Sequence, residues 1–447
     1  MSGRRYLLVT LGCFKNEVES DLLRSHLGTL GMRETGNIAN ADIILVMSCG
    51  FIEEACDEGL DTILELHDAA CGAPAKPPLV VAGCMGQRYG TALLEEMNEL
   101  AAVLGCDWKE DVGPALAAAL RGRRYLKGPG TPGSPGVLRT VDSSENATIY
   151  VKAAEGCDRH CGYCTIPAIK GAYRSRPAEE IAREVRSLAH GRPREVVLLA
   201  QDLSSYGTDL EGGVDLAGLV RRLSRLEEVH WLRLLYLQPE GVTTGLLREV
   251  ASNPRACRYF DVPFQHASAP VLRAMGRQGS SSRNLELVER IRREVPGAVI
   301  RSTVMVGYPG ETDEDFSALL EFLAEARFDW LGAFVFSPEE GTPAARMPRR
   351  VPADLALSRY NTVVETQENI EAAGLHRMTG CELEVVVDEL CDVEPYDLVG
   401  RSYREAPVVD GMIYLTRAGA EAADAKPGDF VRARVTGHEG LDLVAEI

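Results

Sequence analysis

No apolar run in this 447-residue chain approaches the length of a membrane span, although hydrophobic residues make up 45% of it. The stretch Tyr6–Leu11 behind Arg4 and Arg5 is too short for the apolar segment of a secretion signal, and it reads as a β-strand. Positive charge is scarce. Lys and Arg number 48 against 66 Asp and Glu, for a net charge of −18. That balance argues against nonspecific nucleic-acid binding, which needs a basic face, and would attract a basic partner. Aromatic residues are 6% of the chain and form no stripe on which single-stranded bases could stack. Internal repeats and long low-complexity stretches are absent. A second C-x-x-C knuckle, the usual partner in a structural zinc site, is also missing. Cysteine is not scarce. Twelve cysteines without a secretion signal point to metal or redox use in a reducing, cytoplasmic compartment rather than to disulfides.

Three of the twelve lie in the run Glu155-Gly-Cys-Asp-Arg-His-Cys-Gly-Tyr-Cys164. Cys157, Cys161 and Cys164 can together hold three irons of a cubane 4Fe-4S cluster, leaving the fourth iron open for chemistry. The alternative is a structural zinc. A second set is Cys13, Cys49 and Cys84, each one or two residues past an expected parallel strand. Strand ends of an open α/β sheet line one crevice, so these thiols should converge on a second three-cysteine cluster. The alternative is three buried core cysteines. Cys56, Cys71, Cys106, Cys257, Cys381 and Cys391 show no comparable arrangement and read as ordinary residues.

The chain divides by texture. Residues 1–127 alternate strand and helix, with apolar runs at Tyr6–Leu11, Ile43–Met47 and Leu79–Ala82, which implies a parallel α/β domain. Pro and Gly crowd Gly128 to Gly136, so residues 128–142 read as a linker. Over residues 143–376 the alternation restarts. Six strands are expected at Ile149–Ala153, Val196–Ala200, Trp231–Leu237, Tyr259–Pro263, Val299–Val306 and Leu331–Phe336. Six βα units suggest a partial barrel whose site lies at the C-terminal strand ends. Residues 379–447 are strand-rich, at Leu383–Val387, Gly411–Thr416 and Phe430–Val435, and should form a small all-β barrel.

Other residues are candidates by position. Tyr163 could wall a bound ligand or simply pack in the core. Lys170, Arg174 and Arg176 put positive charge beside the cysteine loop, facing either a ligand or solvent. Gln201 and Asp202 end the second barrel strand. Gly307 and Gly310 close a strand and open a helix, where amides could meet a carboxylate.

With these motifs in place, the cysteine loop and its Tyr163 resemble the signature of radical S-adenosylmethionine (SAM) enzymes. Together with the strand-end cysteines, the Ser175-Arg-Pro177 tail and the β-module, they resemble the methylthiotransferases over nearly the whole chain. The resemblance implies a cysteine-bearing N-terminal domain, a radical SAM partial (β/α)6 barrel and a TRAM barrel. It implies two 4Fe-4S clusters and SAM, with Tyr163, Gln201, Gly307 and Gly310 in the SAM pocket. Two branches compete, one modifying tRNA adenosine and one an aspartate of ribosomal protein S-twelve. Leu234-Leu-Tyr-Leu-Gln-Pro239, Asp261-Val-Pro-Phe-Gln-His-Ala-Ser268 and Phe336-Ser-Pro-Glu-Glu-Gly-Thr-Pro-Ala-Ala345 resemble the aspartate branch, whereas Val306-Gly-Tyr-Pro-Gly-Glu-Thr312 belongs to both. Met47-Ser48, Leu203-Ser204 and Gln238 depart from the usual pattern.

Residues 379–447 carry fifteen acidic and six basic residues, a balance suited to a basic ribosomal protein rather than a phosphate backbone. Asp388, Glu389, Asp392 and Glu394 are expected to help dock it at the barrel mouth. The implied reaction is radical hydrogen abstraction from the aspartate β-carbon, followed by insertion of methylated sulfur from the second cluster. The implied partners are a reductant such as a flavodoxin or ferredoxin and a sulfur donor, with tRNA disfavoured and no membrane. A reading of another class is a non-catalytic iron–sulfur electron carrier.

Overall fold

The computed structural model describes residues 1–127, 139–141, 147–418 and 424–447. The Pro- and Gly-rich core of the expected linker, Gly128 to Gly136, lies outside the described residues. Arg139, later in the expected linker 128–142, is buried and reaches Asp21, Glu184 and the Tyr150 carbonyl.

The N-terminal sheet is wholly parallel. Strands Arg5–Thr10, Ile43–Ser48, Leu79–Gly83 and Leu100–Val103 lie side by side, flanked by the short pairs Arg33–Glu34 and Tyr125–Leu126. Ile43–Ser48 is buried at every position, as a central strand covered on both faces must be. The strand Leu100–Val103 is additional to the three expected from sequence. At four residues it is too short to show a period.

The six expected barrel strands form in chain order, all parallel. Thr148–Lys152, Arg194–Leu199 and Val229–Leu234 make one three-stranded sheet. Tyr259–Asp261, Val299–Val306 and Trp330–Val335 make another. A single parallel bridge from Leu232 to Ala256 leads from the first toward the second. Side chains alternate across the pleat. Val196, Leu198 and Ala200 pack on Ile181, Val185 and Leu188 of helix Ala178–Ala189, while Val197 and Leu199 join an inner cluster. Full burial of such a side chain stabilises by about 1.5–3 kcal/mol.

The C-terminal module is a closed five-stranded barrel of Glu382–Leu390, Leu398–Arg401, Ile413–Thr416, Asp442–Glu446 and Phe430–Glu439. It caps the N-terminal ends of the central barrel strands. Arg401 reaches Glu195 and Thr148 at 2.9 and 3.0 Å, Asp410 accepts from Tyr259, and the Trp330 indole donates to the Arg404 carbonyl. This corrects the expectation that the module docks a substrate at the barrel mouth, because the mouth is at the opposite strand ends. It also removes Asp388 from the docking set. That carboxylate is bound by Arg401 at 2.7 and 2.9 Å, whereas Glu389, Asp392 and Glu394 are exposed. No helix among the described residues is long and apolar enough to cross a membrane.

Candidate active site

The N-terminal cysteines sit where the parallel strands end. Asn16, in the first turn of helix Phe14–Thr29, stitches two of those ends together, its Nδ2 donating to the carbonyls of Leu11 (2.7 Å) and Ser48 (3.1 Å). The Ser48 hydroxyl donates to the Ala82 carbonyl at 2.8 Å and joins the third. Cys49 therefore has Cys13 and Cys84 as electrostatic neighbours, and burial pushes its thiol up to about 11. Cys13 is exposed, so the group of three opens on one side.

A fourth thiol stands beside them. Cys106 is hydrogen-bonded to Cys84, a contact that lowers the Cys84 thiol and raises that of Cys106. The strand-end rule would have found it. Leu104-Gly-Cys106 follows Leu100–Val103 as Leu11-Gly-Cys13 follows the first strand. The signal is weak in sequence because the four-residue strand before it shows no period.

In the barrel, Cys157 follows the first strand after a short strand, Ala154–Glu155. Gly156 has φ +83°, and a Cβ there would lie 2.1 Å from the Ala172 carbonyl oxygen. Only glycine lets the loop close so tightly. The Cys157 amide donates to the Gly171 carbonyl (3.1 Å), the Tyr173 amide to Asp158 (2.9 Å) and the Cys164 amide to the Cys161 carbonyl (3.1 Å). Cys164 has both other thiols as neighbours, and burial pushes it up to about 12. Arg277, not anticipated from sequence, places Nη1 3.8 Å from the Cys161 sulfur. Gln238 and the Pro263 carbonyl hold its other nitrogen at 2.8 Å each.

Tyr163 touches Cys161 and packs beside the cluster of Val271, Met275 and Tyr308. Gln201 donates to Glu155 at 2.9 Å, and its buried carbonyl oxygen has no partner among the described residues. The Gly307 amide donates to Glu311 at 2.7 Å and the Gly310 amide to the Arg349 carbonyl at 2.9 Å, so the chain's own acceptors occupy both. Arg174 and Arg176 are held by backbone carbonyls and, for Arg176, by Glu184.

The two cysteine groups face each other. Thr165, next to Cys164, donates to the carbonyl of Phe51, two residues past Cys49, at 3.1 Å. Behind that contact lies a buried ion cluster. Glu155 accepts from Lys152 at 2.6 Å and pairs with Lys170 at 3.3 Å, and Lys152 also pairs with Glu19. Lys170 stays charged although burial opposes it, because Cys84 and Glu155 are its neighbours.

No three His, Cys, Asp or Glu side chains among the described residues are grouped to hold one metal ion. A cubane does not need that, since each thiolate meets a different iron. All-thiol triads, close by a cationic Lys170 or Arg277, suit an anionic iron–sulfur cluster.

A partial barrel of parallel strands, with a three-cysteine loop after its first strand, is the architecture of a radical SAM enzyme. Family profiles agree. The radical SAM superfamily matches residues 151–323, uncharacterized protein family UPF0004 matches 5–105 and the TRAM domain matches 379–447. The solved radical SAM methyltransferase TsrM of Kitasatospora setae superposes with a TM-score of 0.56 at 18% identity, covering 77% of this chain and 74% of its own, a likeness of fold. The ribosomal protein uS12 methylthiotransferase RimO of Geobacter sulfurreducens is 39% identical over 98% of both chains. That of Moorella thermoacetica is 42% identical over 92% of this chain and 93% of its own, and that of Desulforudis audaxviator 42% over 99% and 97%. The chain belongs to the RimO family of radical SAM methylthiotransferases.

Proposed function

We propose that this chain methylthiolates the β-carbon of an aspartate in ribosomal protein uS12, the substrate named for its relatives. The observation that supports the reading is the Thr165–Phe51 hydrogen bond, which ties the Cys157–Cys164 loop to the strand end that carries Cys49, so that two clusters held there would both lie near one substrate. Cys157, Cys161 and Cys164 would hold one 4Fe-4S cluster, and Cys13, Cys49 and Cys84 a second. With SAM bound, the first supplies radical hydrogen abstraction and the second the sulfur.

The chain's own residues do the remaining work. Arg277 offsets negative charge beside Cys161. The unpartnered Gln201 oxygen is a free acceptor beside the cluster loop, and Tyr163 supplies a ring there. Both belong to the SAM pocket in this proposal. Gly307 and Gly310 lie at its edge, contributing small size rather than free amides. The apolar inner wall, with Val197 and Leu199, excludes water from the reaction. A flavodoxin- or ferredoxin-like reductant and a sulfur donor complete the proposed partners.

Mass spectrometry of uS12 and of tRNA, from cells with and without this gene, tests the proposal. A methylthio group on a uS12 aspartate, present only with the gene, is the expected result. Methylthiolated adenosine with unmodified uS12 would move the assignment to tRNA. No product on either would favour an electron carrier.

A further inference from the structure

Lys15 lies two residues past Cys13, in the first turn of helix Phe14–Thr29. Its Nζ stands 3.3 Å from the ring centroid of Tyr236, a cation–π contact. Tyr236 belongs to the central barrel, two residues past the strand Val229–Leu234, on the same strand-end face as the cysteine loop. Its φ is +63°, a left-handed conformation unfavourable for a bulky aromatic residue. Such a backbone persists where its surroundings over-determine it, and it marks functional positions more often than others. Here the Tyr236 amide donates to Asp261 at 2.9 Å and its carbonyl accepts from the Leu203 amide at 3.0 Å. The barrel thus pins the ring, and the lysine of the other domain rests on it.

Lys15 is half-buried, and no carboxylate among the described residues forms an ion pair with it. The neighbouring acids are committed elsewhere. Glu155 holds Lys152, Lys170 and Gln201, and Glu19 holds Lys152 and the Trp108 indole. The negative neighbours of Lys15, Cys13 and Glu155, act on it through space without pairing with it, and a cation drawn partly out of water gains from a carboxylate bound directly.

We propose that Lys15 binds the side-chain carboxylate of the substrate aspartate and makes the site choose an acidic residue over a neutral base. The inference rests on the uS12 reading above. The geometry suits it. The β-carbon of an aspartate is bonded directly to its carboxyl carbon. A carboxylate on Nζ therefore holds the reacting carbon between Cys13 and the barrel mouth. Adenine has no anion to offer there. The Tyr236 side chain takes one side of Nζ, and an ammonium with three donors keeps others for the ligand.

The test is binding of recombinant uS12, and of uS12 with asparagine at the target position, to reconstituted parent, Lys15→Met and Lys15→Arg proteins. Iron is measured on each. The parent should favour the aspartate form by about tenfold or more, the scale of a charge-assisted hydrogen bond. Lys15→Met, with its iron intact, should bind both forms alike. Lys15→Arg should keep much of the preference. A fully loaded Lys15→Met that still prefers aspartate overturns the inference and leaves the uS12 reading standing. Loss of iron in Lys15→Met but not in Lys15→Arg also overturns it, since the lysine would then serve the cluster's charge. A parent that modifies tRNA adenosine and binds neither form of uS12 removes the uS12 reading and this inference with it.

Discussion

Gly12 has φ +92°, and a Cβ on it would lie 2.7 Å from Cβ of Cys49. The residue before Cys13 must therefore be glycine for two strand-end loops to approach. Gly12→Ala adds backbone strain, on the order of 1–3 kcal/mol, and pushes Cys13 and Cys49 apart. We expect the anaerobically reconstituted parent to hold about eight irons, as two four-iron clusters. Gly12→Ala and the triple Cys13/Cys49/Cys84→Ala variant should each hold about four. Iron content unchanged in the triple variant would deny those cysteines a cluster. Cys157→Ala should instead abolish formation of 5′-deoxyadenosine from SAM, measured by chromatography, while the triple variant retains it. Survival of that product in Cys157→Ala would remove the cluster assignment from the barrel loop.

At the scale of elements, the contact that seats the C-terminal barrel is an ion network at the start of the strand Arg194–Leu199. Glu195 is fully buried and accepts from Arg233 at 2.6 Å and Arg401 at 2.9 Å. Burial alone would raise its carboxyl, but the two guanidinium groups hold it at about 2 against an ordinary 4.5. A depressed folded value means that its contribution to stability is present above about 4.5 and fades as pH falls from there toward 2. Glu195→Gln leaves both arginines buried beside a neutral group and should cost about 3–5 kcal/mol. Thermal melts of parent and variant at pH 7 and at pH 3 provide the check. The gap in Tm should be wide at pH 7 and narrower at pH 3. An equal gap at both would deny the network its role.

For the molecule as a whole, the net charge of −18 acts through solvent rather than through one contact. Glu389, Asp392 and Glu394 are exposed on a module that caps the barrel end away from the cluster loops. They can steer a basic protein but are poorly placed to seat its aspartate. Changing all three to Lys should slow capture of uS12 by about tenfold or less at low salt, with the difference closing near the ionic strength where the Debye length shrinks to roughly 8 Å. Stopped-flow association at several salt concentrations would show it. A difference that persisted at high salt would mean direct docking, as the acidic composition alone had suggested.

Much of this protein was determined by local sequence. The C-x-x-x-C-x-x-C spacing places three thiols on one loop whatever surrounds it. Apolar runs alternating with helical periods force parallel strands, and parallel strands put their ends, with Cys13, Cys49 and Cys84, on one edge. What only the tertiary structure decided involves residues distant in the chain. Cys106 reached Cys84 through a four-residue strand with no readable period. Arg277 came to the Cys161 sulfur from 116 residues away. Lys15 came to rest on Tyr236 across a domain boundary. Asp388, counted as a docking acid by composition, was taken by Arg401. Periodicity and spacing report what neighbours along the chain must do. Which charge meets which partner depends on how separate domains pack, and burial then makes that choice energetically large.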